Sequence, residues 1–203
     1  MEHCENNIII RGELGALPYF SHENHDKRFF RFELAVARLS GAMYILPVVA
    51  EEQLLEGLDL SGGSMIEVRG QIRSHNLREN GARRLLIFVF AGNVTVTDGE
   101  PINEVTLQGP LCREPNLRRT PLGREICDVM LAAPRAFRRA DYLPCILWGR
   151  TAQQVSACHT GDHIRIQGRL QSRIYTKQRE DGSEKRTAYE ISALTAEILD
   201  DPI

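Results

Sequence analysis

Apolar and polar residues alternate along several short stretches of this chain. Between residues 163 and 177, the apolar or small residues that share one parity are Ile164, Ile166, Gly168, Leu170 and Ile174. Side chains of a β-strand point alternately to its two faces, so this set is predicted to face the interior of a barrel. Similar patterns predict further strands at 105–111, 126–133, 142–149 and 189–192, and a short helix at 150–158.

The second half of the chain repeats the first. Three segments recur in the same order at an offset of 97 or 98 residues: 6–14 as 103–111, 46–49 as 143–146, and 63–74 as 161–172. Three matches in register indicate two homologous domains. The polar turn at 98–101 contains Gly and Pro and is the natural join. We therefore predict domains at 1–98 and 102–199, followed by a short acidic end at 200–203.

Each repeat is predicted to be mostly strand. Five strands with a helix between the third and fourth is the order of an OB-fold. A small SH3-like barrel is the alternative, but it has no place for that helix. The fold class expected is all-β with short helices, as two tandem five-stranded OB-fold barrels.

Composition narrows the class of protein. The chain of 203 residues is 42% hydrophobic and 26% charged, a composition typical of globular proteins. No apolar run is long enough for a transmembrane helix, and no signal peptide is visible. The five cysteines include no CxxC pair, and Cys127 and Cys145 lie in apolar runs, where they are predicted to be buried. These features favour the reducing cytosol.

The charge is unevenly distributed. Residues 1–100 contain ten Lys or Arg and fourteen Asp or Glu, a net charge of −4, whereas residues 101–203 contain fifteen and thirteen, a net charge of +2. A surface that binds a polyanion must be locally basic. If one half contacts nucleic acid, we expect it to be the second.

Two predicted strands of the second domain carry cationic and aromatic residues on their outward faces. Along 163–177 the outward residues are Arg165, Gln167, Arg169, Gln171, Arg173, Tyr175 and Lys177. Along 142–150, where Leu143, Cys145 and Leu147 point inward, they are Tyr142, Ile146, Trp148 and Arg150. Bases stack on aromatic side chains and arginine contacts phosphates. The combination favours binding of single strands over a merely solvated face or a subunit contact.

The first domain keeps the strand pattern but not these aromatics. Glu51 is equivalent to Trp148, and Leu77 lies near the equivalent of Tyr175. Its aromatic residues cluster elsewhere, where most are predicted to be core or interface: Phe29, Phe30, Phe32, Phe88 and Phe90. We therefore expect the first domain to serve structure and dimerisation.

The second domain resembles the bacterial single-stranded DNA-binding (SSB) protein family. The resemblance rests on the opening Asn103–Leu111, on Glu114-Pro115 and Thr120–Gly123, on Leu147–Arg150, and on the strand Gly161–Tyr175. The whole chain is also similar to two-barrel members of clostridial type. The segments that carry this second likeness are Ser21-His22-Glu23, Leu46-Pro47-Val48 and Arg124-Glu125-Ile126.

The resemblance implies residue roles. It places DNA-stacking aromatics at Phe137, Tyr142, Trp148 and Tyr175. It places basic DNA contacts at Arg118, Arg138, Arg150 and Arg173, to which the outward face adds Arg169. It further implies a non-enzymatic protein that coats single-stranded DNA in replication, recombination and repair, located in the cytoplasm at the nucleoid. Family assemblies present four barrels, so a homodimer is expected.

The C-terminal end departs from the family pattern. The family usually ends in a long linker and an acidic tip with a terminal Phe, whereas this sequence ends Leu199-Asp200-Asp201-Pro202-Ile203. Asp200 and Asp201 are a weak indication of recruited replication or repair proteins.

Other functions have little support in the sequence. His22 and His25 lie in a polar loop without a cysteine, and Cys158-His159 is too close for two ligands of one tetrahedral ion, so no metal site or cofactor is expected. No phosphate-binding glycine motif appears, and no catalytic residue is predicted. The alternative is an OB-fold protein-interaction module, such as a primosome accessory.

Overall fold

The computed structural model describes residues 5–38, 41–79, 82–135, 139–179 and 182–199. The first half contains six strands: β1 Asn6–Leu14, β2 Tyr19–Asn24, β3 Lys27–Ala37, β4 Met43–Glu51, β5 Met65–Glu79 and β6 Ala82–Val96. The second half contains six more: β7 Ile102–Pro110, β8 Asn116–Arg119, β9 Glu125–Arg135, β10 Arg139–Trp148, β11 His163–Arg179 and β12 Gly182–Leu199. A 3₁₀ turn at Glu52–Leu54 follows β4, and the helix α1 at Gly149–Val155 follows β10.

Each half closes into a barrel at equivalent positions. In the first half β1 pairs with β3 through Leu14 and Leu34, and in the second Leu111 forms a bridge with Leu131. Each of these leucines lies 97 residues from its counterpart, so the sequence repeat is also a structural repeat. The prediction of two OB-fold barrels is confirmed, with α1 between β10 and β11 as expected. The short outer strands β2 and β8 were not predicted.

Barrel closure explains one glycine of each repeat. A Cβ atom on Gly109 would lie 2.1 Å from the carbonyl oxygen of Ala132, and one on Gly12 would lie 2.5 Å from that of Ala35. Only a residue without a side chain allows the first strand of each barrel to approach the third so closely.

The two barrels are joined edge to edge through their first strands. Strand β1 pairs antiparallel with β7, and Ile8 lies opposite Val105, its equivalent in the repeat. The Asn6 side chain exchanges two hydrogen bonds with the backbone of Ile72, at 2.8 and 2.9 Å. Asn103 makes the same pair with Leu170, at 2.7 and 2.9 Å. A pseudo-twofold axis therefore passes through the Ile8–Val105 pair.

The predicted interior of the second barrel is largely correct. Ile164, Ile166 and Leu170 are fully buried, as are Leu143 and Leu147. The prediction is wrong for Ile174, which is 72% exposed. Beyond Leu170, β11 and β12 pair only with each other among the described residues, so the hairpin continues as a two-stranded arm. A residue of inward parity in this arm has no barrel interior to enter.

Candidate nucleic-acid interface

The outer face of the second barrel forms a groove of about 720 Å³. Its walls come from strands β8 to β12 and from the β3–β4 junction of the first barrel. The lining side chains that matter most are Arg38, Tyr44, Arg118, Arg124, Trp148, Arg169, Gln171, Arg173 and Glu190. The groove thus brings together four of the residues predicted from the sequence: Arg118, Trp148, Arg169 and Arg173.

Trp148 lies at the end of β10 and is 37% exposed. Its Nε1 donates a hydrogen bond of 3.1 Å to Oγ of Ser192 on β12. Ile126 and Ile146 are buried beneath the groove and complete an apolar floor beside the indole. The hydrogen bond fixes one edge of the indole, and the remaining exposed part is available to a planar ligand.

Positive charge dominates the described lining of the groove, with five arginines against one carboxylate, Glu190. Oε1 of Glu190 accepts a hydrogen bond of 2.8 Å from Gln171 and lies 3.8 Å from Nε of Arg173. The buried Nε of Arg169 has no hydrogen-bond partner among the described residues. Such an excess of guanidinium groups over carboxylates creates a site for an anion.

Arg118 differs because it has its own counter-ion. Its Nε donates a hydrogen bond to Asp128, and its Nη2 donates another of 3.2 Å to the same carboxylate. The hydrogen bonds with Asp128 raise the pKa of the Arg118 guanidinium further above its usual value. The Arg118 side chain is half exposed, so a phosphate can compete for its guanidinium at modest cost.

Two predicted aromatics lie on the same surface but outside this groove. Tyr142 is exposed on the outward face of β10, two residues from Pro144, which lines an adjoining hollow of about 390 Å³ shared with Arg118 and Arg173. Tyr175 lies on the β11–β12 arm, and its ring centroid is 5.7 Å from the Arg173 guanidinium.

Arg150 does not reach the groove. Strand β10 ends at Trp148, and the chain turns at Gly149, whose φ is +54°, so Arg150 becomes an exposed residue of α1. Phe137, Arg138, Asp200 and Asp201 lie outside the described residues, and their predicted roles stay predictions.

Sequence reasoning missed Arg38, Tyr44 and Arg124. Arg124 directly follows the Thr120–Gly123 motif, and this position in the sequence could have identified it as a candidate site residue. Arg38 and Tyr44 belong to the first repeat, and nothing in the second repeat points to them. Only the pairing of β1 with β7 carries them to the groove of the other barrel.

The equivalent face of the first barrel is aromatic rather than basic. Phe29 is buried there, with the ring of His22 stacked on it at 4.9 Å and Phe90 at 5.9 Å. The guanidinium of Arg73 lies 5.7 Å from the Phe90 ring. Lys27 forms an ion pair with Glu51, the equivalent of Trp148. These side chains stack on one another or form an ion pair. This face therefore differs from that of the second barrel, where the groove is open and basic.

The described cysteines lie outside this groove. Cys127 and Cys145 are buried free thiols, as predicted, and burial raises the pKa of Cys127 to about 11. Within the described ranges, no group of three or more His, Cys, Asp or Glu side chains is arranged to hold a metal ion. In the same part of the chain, no helix has the length and apolar character needed to cross a membrane.

The full-chain architecture is shared with a solved protein. The wild-type single-stranded DNA-binding protein from Thermus aquaticus superposes with a TM-score of 0.79 at 23% sequence identity, covering 98% of this chain and 94% of that one. At this identity the likeness concerns the fold alone, and it extends to both barrels.

Sequence relatives match part of the chain. Single-stranded DNA-binding protein B of Bacillus subtilis is 36% identical over 83 residues, which are 37% of this chain and 74% of that protein. The single-stranded DNA-binding protein of Oceanobacillus iheyensis is 31% identical over 108 residues, or 49% of this chain and 64% of its own length. The model of the Single-strand binding protein family matches residues 102–199. Because this match agrees with a relative that is 36% identical and covered over 74% of its own length, the chain belongs to the single-strand binding protein family.

Proposed function

We propose that this protein binds single-stranded DNA in the groove of the second barrel. The observation that carries the proposal is the juxtaposition of a partly exposed indole, Trp148, with the arginines of the groove. The names of the relatives, which are single-stranded DNA-binding proteins, support the same function.

The groove suits a single strand for two reasons. A base that stacks on Trp148 contributes about 1–3 kcal/mol and must be unpaired to do so. Arg169 and Arg173 lie across the groove on β11, where they can contact the phosphates that flank such a base. A duplex keeps its bases stacked inside, so it can use only the phosphate contacts.

We further propose that the protein is a non-catalytic coat of single strands in replication, recombination and repair, located in the cytoplasm at the nucleoid. In this proposal Arg118 contacts the strand within the groove, and Tyr142 and Tyr175 extend the bound path beyond it. The first barrel mainly supports the assembly, which is a homodimer with four barrels.

The test uses Trp148, the only tryptophan in the chain, as its own reporter. Stacking of a base quenches indole emission, so oligo(dT) is expected to reduce the fluorescence strongly and duplex DNA only weakly. The affinity for oligo(dT) should also fall with rising salt, by about 0.7 in the logarithmic slope for each phosphate contact.

The Trp148→Ala variant separates this function from a protein-interaction module. Because the indole lies outside the barrel interior, its loss is expected to weaken oligo(dT) binding by about 1–3 kcal/mol and to leave thermal unfolding nearly unchanged. Leu122→Ala, at an exposed turn outside the groove, is the matched control. If Trp148→Ala instead loses stability or self-association while oligo(dT) affinity is unchanged, the interaction module is the better assignment.

A further inference from the structure

The pseudo-twofold axis creates two equivalent junctions between the barrels, and they are not alike. At one junction β10 of the second barrel contacts β5 of the first, and at the other β4 of the first contacts β11 of the second. Repeat positions place Asp141 at the first junction and Tyr44 at the second, 97 residues apart. Likewise Arg135 lies at the first junction and Arg38 at the second, again 97 residues apart.

At the Asp141 junction the cations are neutralised. The Asp141 carboxylate is fully buried and lies 3.1 Å from Nη1 of Arg73 and 3.4 Å from Nη1 of Arg135. It also accepts a hydrogen bond of 2.7 Å from the backbone N–H of Ser74. Both arginines therefore have a carboxylate partner from within the protein, and the junction offers little attraction to an anion.

At the Tyr44 junction the cation keeps its full charge. Tyr44 is 4% exposed, and its hydroxyl donates a hydrogen bond of 3.4 Å to Oε1 of Gln171 in the second barrel. The Arg38 guanidinium lies 4.6 Å from the centroid of the Tyr44 ring. A tyrosine ring orients a guanidinium without neutralising it. Among the described residues, no carboxylate forms an ion pair with Arg38.

Arg38 is exposed and lines the same groove as Trp148, Arg169 and Arg173, although it belongs to the other barrel. Glu190, the carboxylate of the groove, is engaged by Gln171 and faces Arg173. The Tyr44 ring and the Gln171 side chain thus hold a free cation from the first barrel at the edge of the proposed DNA site.

We propose that Arg38 is a phosphate contact and that a strand bound on the second barrel passes onto the first barrel at the Tyr44 junction, not at the Asp141 junction. The inference rests on the proposed function, because it assigns the contact to the same bound strand. In this proposal the first barrel contacts the bound strand directly through Arg38. The path is one-sided, because the strand crosses between the barrels at one of the two junctions and not at the other.

The test compares two arginines at equivalent repeat positions in the full-length chain. Labelled oligo(dT) is titrated into the wild type, Arg38→Ala, Arg38→Lys and Arg135→Ala, and anisotropy is followed over a range of salt concentrations. Arg38→Ala is expected to weaken binding about tenfold at low salt, corresponding to ~1.4 kcal/mol, and to reduce the logarithmic salt slope by about 0.7. Arg38→Lys should restore most of the slope, since it restores the charge.

Two controls show whether the effect is specific. Arg28→Ala removes an exposed arginine of the first barrel that pairs with Glu52 and stacks on Phe20, away from the groove, and should bind like the wild type. Arg135→Ala should lower the melting temperature but keep the wild-type salt slope.

A crosslinking experiment tests the contact directly. A photoreactive p-benzoylphenylalanine in place of Arg38 should crosslink to oligo(dT), and the same group in place of Arg135 should not.

The outcomes distinguish the two proposals. If Trp148→Ala loses affinity while Arg38→Ala binds with the wild-type slope and the group at position 38 does not crosslink, the Arg38 assignment is wrong and the DNA site stands. Equal losses in Arg38→Ala and Arg135→Ala would refute the one-sided path. If the wild type does not prefer oligo(dT) to duplex DNA, the proposed function fails and the Arg38 assignment fails with it.

Discussion

The Asp141 carboxylate is predicted to be a main determinant of the stability of the two-barrel unit. It is fully buried between the barrels, whereas the side chains of its partners Arg73 and Arg135 are 18% and 33% exposed. Removing one partner of a buried ion pair costs about 3–5 kcal/mol, because the other charge is left uncompensated. Both arginines retain some contact with water, so we expect ~2–4 kcal/mol for Asp141→Ala.

Asp141→Asn separates charge from shape. It can still accept the hydrogen bond from the Ser74 N–H, so its cost should be smaller, ~1–3 kcal/mol. Urea unfolding followed by circular dichroism measures both variants, provided that the slope with denaturant is unchanged. Asp128→Asn, which removes a partly exposed carboxylate paired with Arg118, is the matched control and should cost under ~1 kcal/mol. If both Asp141 variants unfold within experimental error of the wild type, the carboxylate does not hold the barrels together.

Two further predictions concern assembly and the thiols. Light scattering at micromolar concentration is expected to give the mass of a homodimer, and a strict monomer would contradict the four-barrel assembly. Cys127 and Cys145 are expected to resist alkylation at pH 8 in the native protein, since burial raises the pKa of both thiols and leaves little thiolate below the folded pKa. Peptide mapping by mass spectrometry checks this, and modification of either residue before unfolding would show that the barrel opens.

The sequence predicts the fold and one wall of the groove because both depend on strand parity. Trp148, Arg169 and Arg173 could be assigned to one surface, since alternation is preserved along barrel strands. The same rule fails where a strand leaves the barrel or ends. It placed Ile174 inward although the β11–β12 arm has no interior, and it placed Arg150 beside Trp148 although the chain turns at Gly149.

The other wall of the groove could not be predicted from either repeat alone. Arg38 reaches the groove because β1 pairs with β7 and not with another edge, and strand pairing between domains leaves no mark in the alternation pattern. The difference between Tyr44 and Asp141 was visible in the aligned repeats. The sequence does not show that this difference matters, because only the structure places both positions where the barrels meet.

Joining the two barrels in one polypeptide has a consequence for how they can diverge. In a symmetric homodimer of single-barrel chains, every substitution is present in both barrels. A residue that suits one contact between the subunits is therefore also present at the symmetry-related contact. Here each half is encoded separately, and the pseudo-twofold axis at Ile8 and Val105 relates residues that are free to differ. The molecule therefore has two non-equivalent ends. A polymer with distinct 5′ and 3′ ends, lying across the two barrels of one chain, can be held in one orientation in preference to the other. Two identical barrels related by a twofold axis cannot make that distinction.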